Sequence, residues 1–355
     1  MTWTLLLLAA APGPLTVRVL EREVRDRVTL EAPRLACGAQ VSAGTRVFRV
    51  GDATCPALTA EGPVTVTVRG VKRTFAGRLL ASHDGRTVQL LNVVDVEDYL
   101  PSVVEAEAGG MKPAALEAQA VVSRTFALTA HRHREADLCD LAHCQVYRGT
   151  RAGPDARAAA QATSGLVLRR GEALTPAYLH AACGGHTSSA LDVFGQPASG
   201  TAVRDPHCGA HPWSFSVPRA ALARAFGVKP IGPAVQPVRR DAGGRLLSLR
   251  VFGRSLSAEL FLSTMGRHFG WGKVRSARFE VRDAHGQVAL HGVGVGHGVG
   301  LCQRGAQAMP RPAPAATTSS RTTFPKRSWA RRPERPSLRR RPAPRRRHRD
   351  AQLLR

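Results

Sequence analysis

Two periods divide the chain. Between residue 15 and about residue 95, apolar and polar positions tend to alternate, as in "LTVRVL", "TRVFRV", "VTVTVRGV" and "RTVQLLNVV". Alternation among β-branched residues predicts half-buried strands, and "HDG" at 83–85 predicts a hairpin turn. The pattern then lengthens. "KPAALEAQAVVSRTFALTAHRHREADL" is alanine-rich, without internal Gly or Pro, and Pro113 suits a first helical turn. A second helix is predicted from about Pro154 to Ser164, closed by Gly165. Further on, "GLVLRRGEALTPAYLH" predicts a strand, a turn at Gly171 and a strand. "PRAALARAFG" predicts a short helix, "DAGGRLLSLRVFG" a hairpin, and "SAELFLSTMG" a helix opened by Ser257. No repeat of 20–50 residues interrupts this order. It is a strand-rich α+β pattern with helices concentrated in the middle.

Charge changes the picture at one end. The 355 residues carry a net charge of +25, from 51 Lys+Arg against 26 Asp+Glu. Residues 310–355 hold 15 of those cations and 2 of the anions. This Arg- and Pro-rich stretch has too few large apolar residues to offset its ordering entropy and is expected to be a disordered basic tail. The remaining surplus suits an anionic polymer or surface, without choosing among nucleic acid, acidic wall polymer and lipid. Only 5 of the 51 cations are lysine, as a GC-rich coding sequence would produce. No apolar run reaches the roughly 18 residues of a membrane span. "MTWTLLLLAAAPGP" (1–14) resembles a secretory signal with a weak n-region, the alternative being a buried first strand. The seven cysteines fit an exported protein with some disulfides and one thiol left over, or a metal site in a reducing compartment.

Four stretches carry candidate chemistry. In "VVEAEAGG", Glu105 and Glu107 stand two apart, so they share a face in a strand and not in a helix. They read either as a solvated edge or as an acid held in a cleft with a raised pKa. In "HREADLCDLAHCQVY", His133, Cys139, His143 and Cys144 supply four soft ligands within 12 residues, enough for tetrahedral zinc. Adjacent His143 and Cys144 both ligate only on an irregular backbone, and a Cys139–Cys144 disulfide competes with the metal. In "YLHAACGGHTS", His180, His186, Thr187 and Ser188 surround Gly184 and Gly185, suggesting a groove wall; Cys183 is a candidate to pair with Cys208. In "GVGVGHGVGLCQRGAQ", alternating glycines would strip side chains from one face of an extended segment. Either a ligand or a neighbouring strand could then lie on bare backbone, with His297 and Gln303 offering hydrogen bonds. No P-loop, dinucleotide fingerprint, GxSxG elbow or nucleic-acid recognition motif is present.

"NVVDVEDYLPSVVEAEAGGMKPAALEAQAVVSRTFAL", "CDLAHCQVYRG", "AYLHAACGGHTS" and "GVGHGVGLCQRGAQAM", in this order, resemble the stage II sporulation protein D (SpoIID/LytB) family. The resemblance covers about residues 15–309, with a strand-rich part at 15–95 and a catalytic core at 96–309. It implies a two-lobed fold whose central helices flank a substrate groove. It also implies an exported or envelope protein that acts on peptidoglycan glycan strands by a lytic transglycosylase mechanism, leaving 1,6-anhydro-muramyl ends. A non-catalytic wall-binding protein or enhancer of a cell-wall amidase is the alternative. The resemblance gives Glu107 the acid role and makes Glu105 peripheral. Arg124, Gln145, His180, Gly184, Gly185, His297 and Gln303 become groove residues. The chemistry then needs no cofactor, and zinc at His133, Cys139, His143 and Cys144 would be structural. Nothing implies a specific nucleic acid partner. Two departures stand out: Ala181 and Ala182 replace hydroxyl residues common in the family, and the family's ending after "GAQAM" gives way to the basic tail, as a shifted reading frame would cause.

Overall fold

The computed structural model describes residues 4–7, 13–22, 28–38, 48–50, 53–55, 57–83 and 88–310. The tail at 311–355 and the turn residues Asp84 and Gly85 lie outside the described residues. Of the 1–14 segment, residues 4–7 and 13–14 are described; Thr4–Leu7 forms a strand antiparallel to Leu166–Arg170. The chain is α+β.

The alternating N-terminal pattern becomes a six-stranded sheet. Its order is Leu138–Cys139, Leu15–Arg18, Val88–Val94, Arg78–His83, Ala57–Glu61 and Arg34–Gly38. Val88–Val94 buries every second residue, as one covered face requires. A smaller sheet, Thr29–Glu31, Val64–Val68 and Val71–Phe75, shares that core. The first pairing of the large sheet is its only parallel one: Leu138 faces Val17, which carries Cys139 to the sheet edge beside Arg18. A disulfide joins Cys37 to Cys55.

Two helices pack against this core, and a third packs on those two. Helix α1 (Val96–Ala108) is opened by Asp95, whose carboxylate accepts the Glu97 N–H at 2.8 Å, and it tolerates Pro101. Helix α2 (Pro113–Thr129) starts on Pro113 as the sequence predicts and is buried on most sides. Its alanines permit this. Leu100, Val104 and Ala108 of α1 meet Leu116 and Ala120 of α2 and three alanines of α3 (Pro154–Ala162), with little side-chain bulk between the backbones.

A second core lies beyond residue 212. Helices α5 (Arg219–Phe226) and α6 (Ala258–Phe269) pack against two three-stranded sheets; a short α4 (Ala190–Phe194) precedes them. Ser257 caps α6, its hydroxyl accepting the Leu260 N–H. Phe226 and Phe261 stack at 5.5 Å. Leu301–Cys302 pairs in parallel with Leu179–His180 and leads into α7 (Gln303–Ala308), which packs on α2.

The glycine run fits closely against the chain itself, against backbone at Gly294 and Gly300 and against side chains at Gly292, Gly296 and Gly298. Gly292 ends in a strand, but Gly294, Gly296, Gly298 and Gly300 all have positive φ, so the segment is not the extended one the alternation suggested. At Gly300 a Cβ would strike the Tyr178 carbonyl oxygen. Gly300→Ala is expected to cost at least about 2 kcal/mol in chemical denaturation, combining left-handed backbone strain with that collision. No change in stability would mean that the backbone can move away.

Candidate active site

Both glutamates of "VVEAEAGG" fall in the last turn of α1, and the helix separates them. Glu105 turns towards α3, where its Oε2 accepts the Gly153 N–H at 3.1 Å. Glu107 turns the other way and lines a cavity of about 230 Å³. Its Oε1 accepts the Val146 N–H at 2.9 Å. Burial pushes the Glu107 carboxyl above its ordinary pKa, and the Val146 hydrogen bond only partly opposes this. Among the described residues lining the cavity, Glu107 is the single carboxylate.

The other walls are apolar, aromatic or polar, with one guanidinium. Phe126, Tyr178, Leu179 and Phe194 face Glu107 together with Gln145, His143, Cys144, His297 and Arg132. His297 is held neutral, its pKa pushed down to about 3 by burial, then by His180 and Arg245. Its Nδ1 accepts the Val299 N–H at 3.1 Å, and its ring sits edge-on to Phe194. His297 is therefore a wall rather than a proton carrier. Arg132 stacks over Phe126 at 5.4 Å and donates to the His143 carbonyl at 3.2 Å. An adjoining cavity of about 440 Å³ shares Phe126, Arg132, Tyr178 and Phe194 and extends past Gln196 to Glu259.

The other expected groove residues divide. Gln145 lines the cavity but is buried, its Oε1 accepting from Tyr99 Oη and its Nε2 donating to the Ser123 carbonyl. Gln303 is a tether: its Nε2 donates to the Glu107 carbonyl at 3.0 Å and to Gln119 Oε1 at 3.2 Å. Arg124 corrects the expectation outright. It is fully buried, forks onto Glu97 with two 2.8 Å bonds, and donates to the Ala160 and Leu166 carbonyls. No atom of it is left for a substrate in the cavity. His180 is likewise buried, its Nδ1 bonded to the Val299 carbonyl at 3.0 Å. Gly184 and Gly185 form a tight turn against Gly294 and Cys208 and do not line the Glu107 cavity. Sequence reasoning missed Arg132, Tyr178 and Phe194. Their only signal was aromatic or cationic character in segments far apart in the chain.

His133, Cys139, His143 and Cys144 do converge. Their ligand atoms lie within 4.8 Å of one another, with His133 Nε2 to Cys144 Sγ at 3.3 Å and Cys139 Sγ to His143 Nε2 at 3.3 Å. Residues 141–144 form a turn, the irregular backbone that adjacent ligands require. Both thiols are free, so the competing Cys139–Cys144 disulfide is not formed; nor is the Cys183–Cys208 pairing. Burial, then Arg18 and His143, lower the His133 pKa, which favours the neutral, ligating imidazole. His143 and Cys144 belong both to this cluster and to the Glu107 cavity.

A family model described as Stage II sporulation protein, SpoIID, matches residues 84–169. The chain carries a SpoIID domain. That segment contains Glu107, Gln145 and all four donors of the His/Cys cluster; His180, Gly184, Gly185, His297 and Gln303 fall outside it. An uncharacterized protein of Brachyspira hyodysenteriae (strain ATCC 49526 / WA1) is 28% identical over 263 aligned positions, covering 68% of each chain. The match over this segment suggests a cell-wall-related role, within a family associated with lytic activity. Among the described residues, no helix is long and apolar enough to cross a membrane.

Proposed function

We propose that this SpoIID protein cleaves peptidoglycan glycan strands as a lytic transglycosylase with Glu107 as its single acid–base group. The observation that carries this reading is a carboxyl whose pKa burial raises, lining a cavity that has no second carboxylate among the described residues. Two-carboxylate glycosidases need the second group to activate water or to attack the sugar. Here the nucleophile is internal to the substrate. Glu107 donates its proton to the glycosidic oxygen as the C1–O bond breaks. The muramoyl 6-hydroxyl then attacks the oxocarbenium-like C1, forming the C1–O6 bond and returning its proton to the Glu107 carboxylate. The enzyme ends as it began, and the product carries a 1,6-anhydro end.

The walls suit this task. Phe126, Tyr178 and Phe194 exclude water and offer apolar surface to a sugar face. Arg132, exposed at the junction of the two cavities, suits the lactyl carboxylate of a muramoyl residue that lacks its stem peptide. Arg132→Ala should therefore raise KM about 10-fold for peptide-free glycan with little change in kcat. A lower kcat at unchanged KM would place Arg132 in the chemistry instead. Zinc fits His133, Cys139, His143 and Cys144 in both donor type and spacing. Because four protein donors fill a tetrahedral shell, the ion would brace the wall formed by His143 and Cys144.

The deciding experiment incubates the purified protein with peptide-free glycan strands and reads the products by mass spectrometry. Anhydro-muramyl ends are expected. Strand binding without new ends would instead identify a wall-binding protein or amidase enhancer, and reducing ends would mean hydrolysis. Action on the wall requires export, which we propose on the same grounds.

A further inference from the structure

A second cluster of soft donors lies outside the cavity and plays no part in the chemistry above. Cys183, Asp205, Cys208 and Cys302 come from three separate segments: the Gly184–Gly185 turn, the 205–208 loop and the entry to α7. Their ligand atoms all lie within 4.8 Å of one another, and the three cysteines are buried. We propose that these four residues form a structural zinc site that ties the three segments together.

The surroundings are built for thiolates. Each sulfur accepts a backbone N–H: Cys183 from Gly185 at 3.3 Å, Cys208 from Gly184, and Cys302 from both Cys183 and Gly305 at 3.3 Å. A neutral thiol gains little from such donors, whereas a thiolate bound to a cation is stabilised by them. The carboxylate is aimed as well. The His207 and Cys208 N–H groups hold Asp205 Oδ1 at 3.0 and 3.2 Å, while Oδ2 lies 3.3 Å from Cys183 Sγ. That oxygen fills the space a side chain at position 305 would need, so Gly305 makes room for it.

His180 gives an independent sign. Paired across the strands with Cys302, it is 3% exposed, its Nδ1 is bonded to the Val299 carbonyl, and its Nε2 has no hydrogen-bond partner among the described residues. Binding one Zn²⁺ displaces up to three thiol protons to solvent, with no change in oxidation state. Three thiolates and one carboxylate close a tetrahedral shell and leave no open position, so the site is structural. A disulfide between any two of the sulfurs would leave the third thiol and Asp205 facing each other without a common partner.

The location matters because Cys302 precedes Gln303, which holds the Glu107 carbonyl. The inference does not depend on the lytic reading, since its readout is metal and thiol chemistry. The full chain, loaded with zinc and freed of loose metal, is alkylated under native conditions with and without prior chelation, and each cysteine is followed by peptide mass mapping. Zinc is expected to slow alkylation of Cys183, Cys208 and Cys302 together by at least about 10-fold. Equal rates with and without zinc, or a disulfide among these three, would overturn the proposal. Cobalt provides a second readout. Cys144→Ser cripples the other cluster, so that variant should still take up one Co²⁺ with thiolate charge-transfer absorption. Adding Cys208→Ser should weaken that uptake at least about 10-fold. Uptake unaffected by Cys208→Ser would sink the assignment, and if the double variant does not fold, the alkylation result on the unaltered chain decides.

Discussion

Glu107→Gln is expected to lower the rate of anhydro-end formation by about 10²–10⁴-fold, the range that a positioned general acid contributes. The amide cannot donate a strongly acidic proton or take one back, yet its oxygen can still accept the Val146 N–H, so the cavity should keep its shape. Glycan binding should survive. The same variant has a thermodynamic signature of opposite sign. Because burial raises the folded-state pKa of Glu107, the folded chain keeps a proton that the unfolded chain releases above the ordinary value of 4.5. Wild-type stability therefore loses this contribution as pH climbs from there through the raised pKa. Gln does not titrate, so Glu107→Gln should be more stable than wild type above that window, with the difference shrinking on acidification. Unfolding curves across a pH series read this directly. Activity should fall with rising pH over the same window, since the acid must start protonated. A rate loss without the stability gain would mean that the glutamate is not a buried acid.

Glu97→Ala is expected to destabilise the protein by about 3–5 kcal/mol, the cost of leaving a buried charge without its partner. Arg124 is completely buried, and Glu97 is the carboxylate that forks onto it. Without that carboxylate the guanidinium keeps only neutral acceptors, the Ala160 and Leu166 carbonyls and Thr163. In a chain of this size the loss corresponds to a fall in melting temperature on the order of 10 °C. Because this pair ties α1, α2 and α3 together away from the cavity, the folded fraction should keep its affinity for glycan. A change in KM at unchanged stability would restore Arg124 to the groove.

The contrast between these two residues shows what could be read from the chain. Glu107 and Arg124 both stood at motif positions, and the resemblance placed both at the groove, one as the acid and the other as a binding residue. Their roles depend on which way each helix presents them. Glu107 follows Val103, Val104 and Ala106 on α1, and whether an acid in such company meets a cavity or solid packing depends on the segments at 143–146, 178–179 and 297. The sulfur chemistry shows the same limit. The first His/Cys cluster was legible because its donors span 12 residues and need only one turn to meet. The Cys183–Asp205–Cys208–Cys302 cluster was not, because Cys302 arrives from more than 90 residues away through the parallel pairing of Leu301–Cys302 with Leu179–His180. Without that pairing, Cys183 and Cys208 read as two halves of a disulfide.

What the sequence determined by itself is local: alternation that makes strands, Pro113 and Ser257 that open helices, a compact His/Cys set, and the motif order that marks a SpoIID domain. These follow from period, backbone propensity and near neighbours, which act over a few residues. Only the tertiary structure decided that the alternating glycines make room for the chain itself, a carbonyl at Gly300 and the Arg245 side chain at Gly298, that Arg124 is a buried brace, and that among the described residues Glu107 alone brings a carboxylate to its cavity. Such outcomes depend on burial and on contacts between distant segments, and desolvation, which sets both the raised pKa of Glu107 and the cost of exposing Arg124 to a missing partner, has no value until those segments pack.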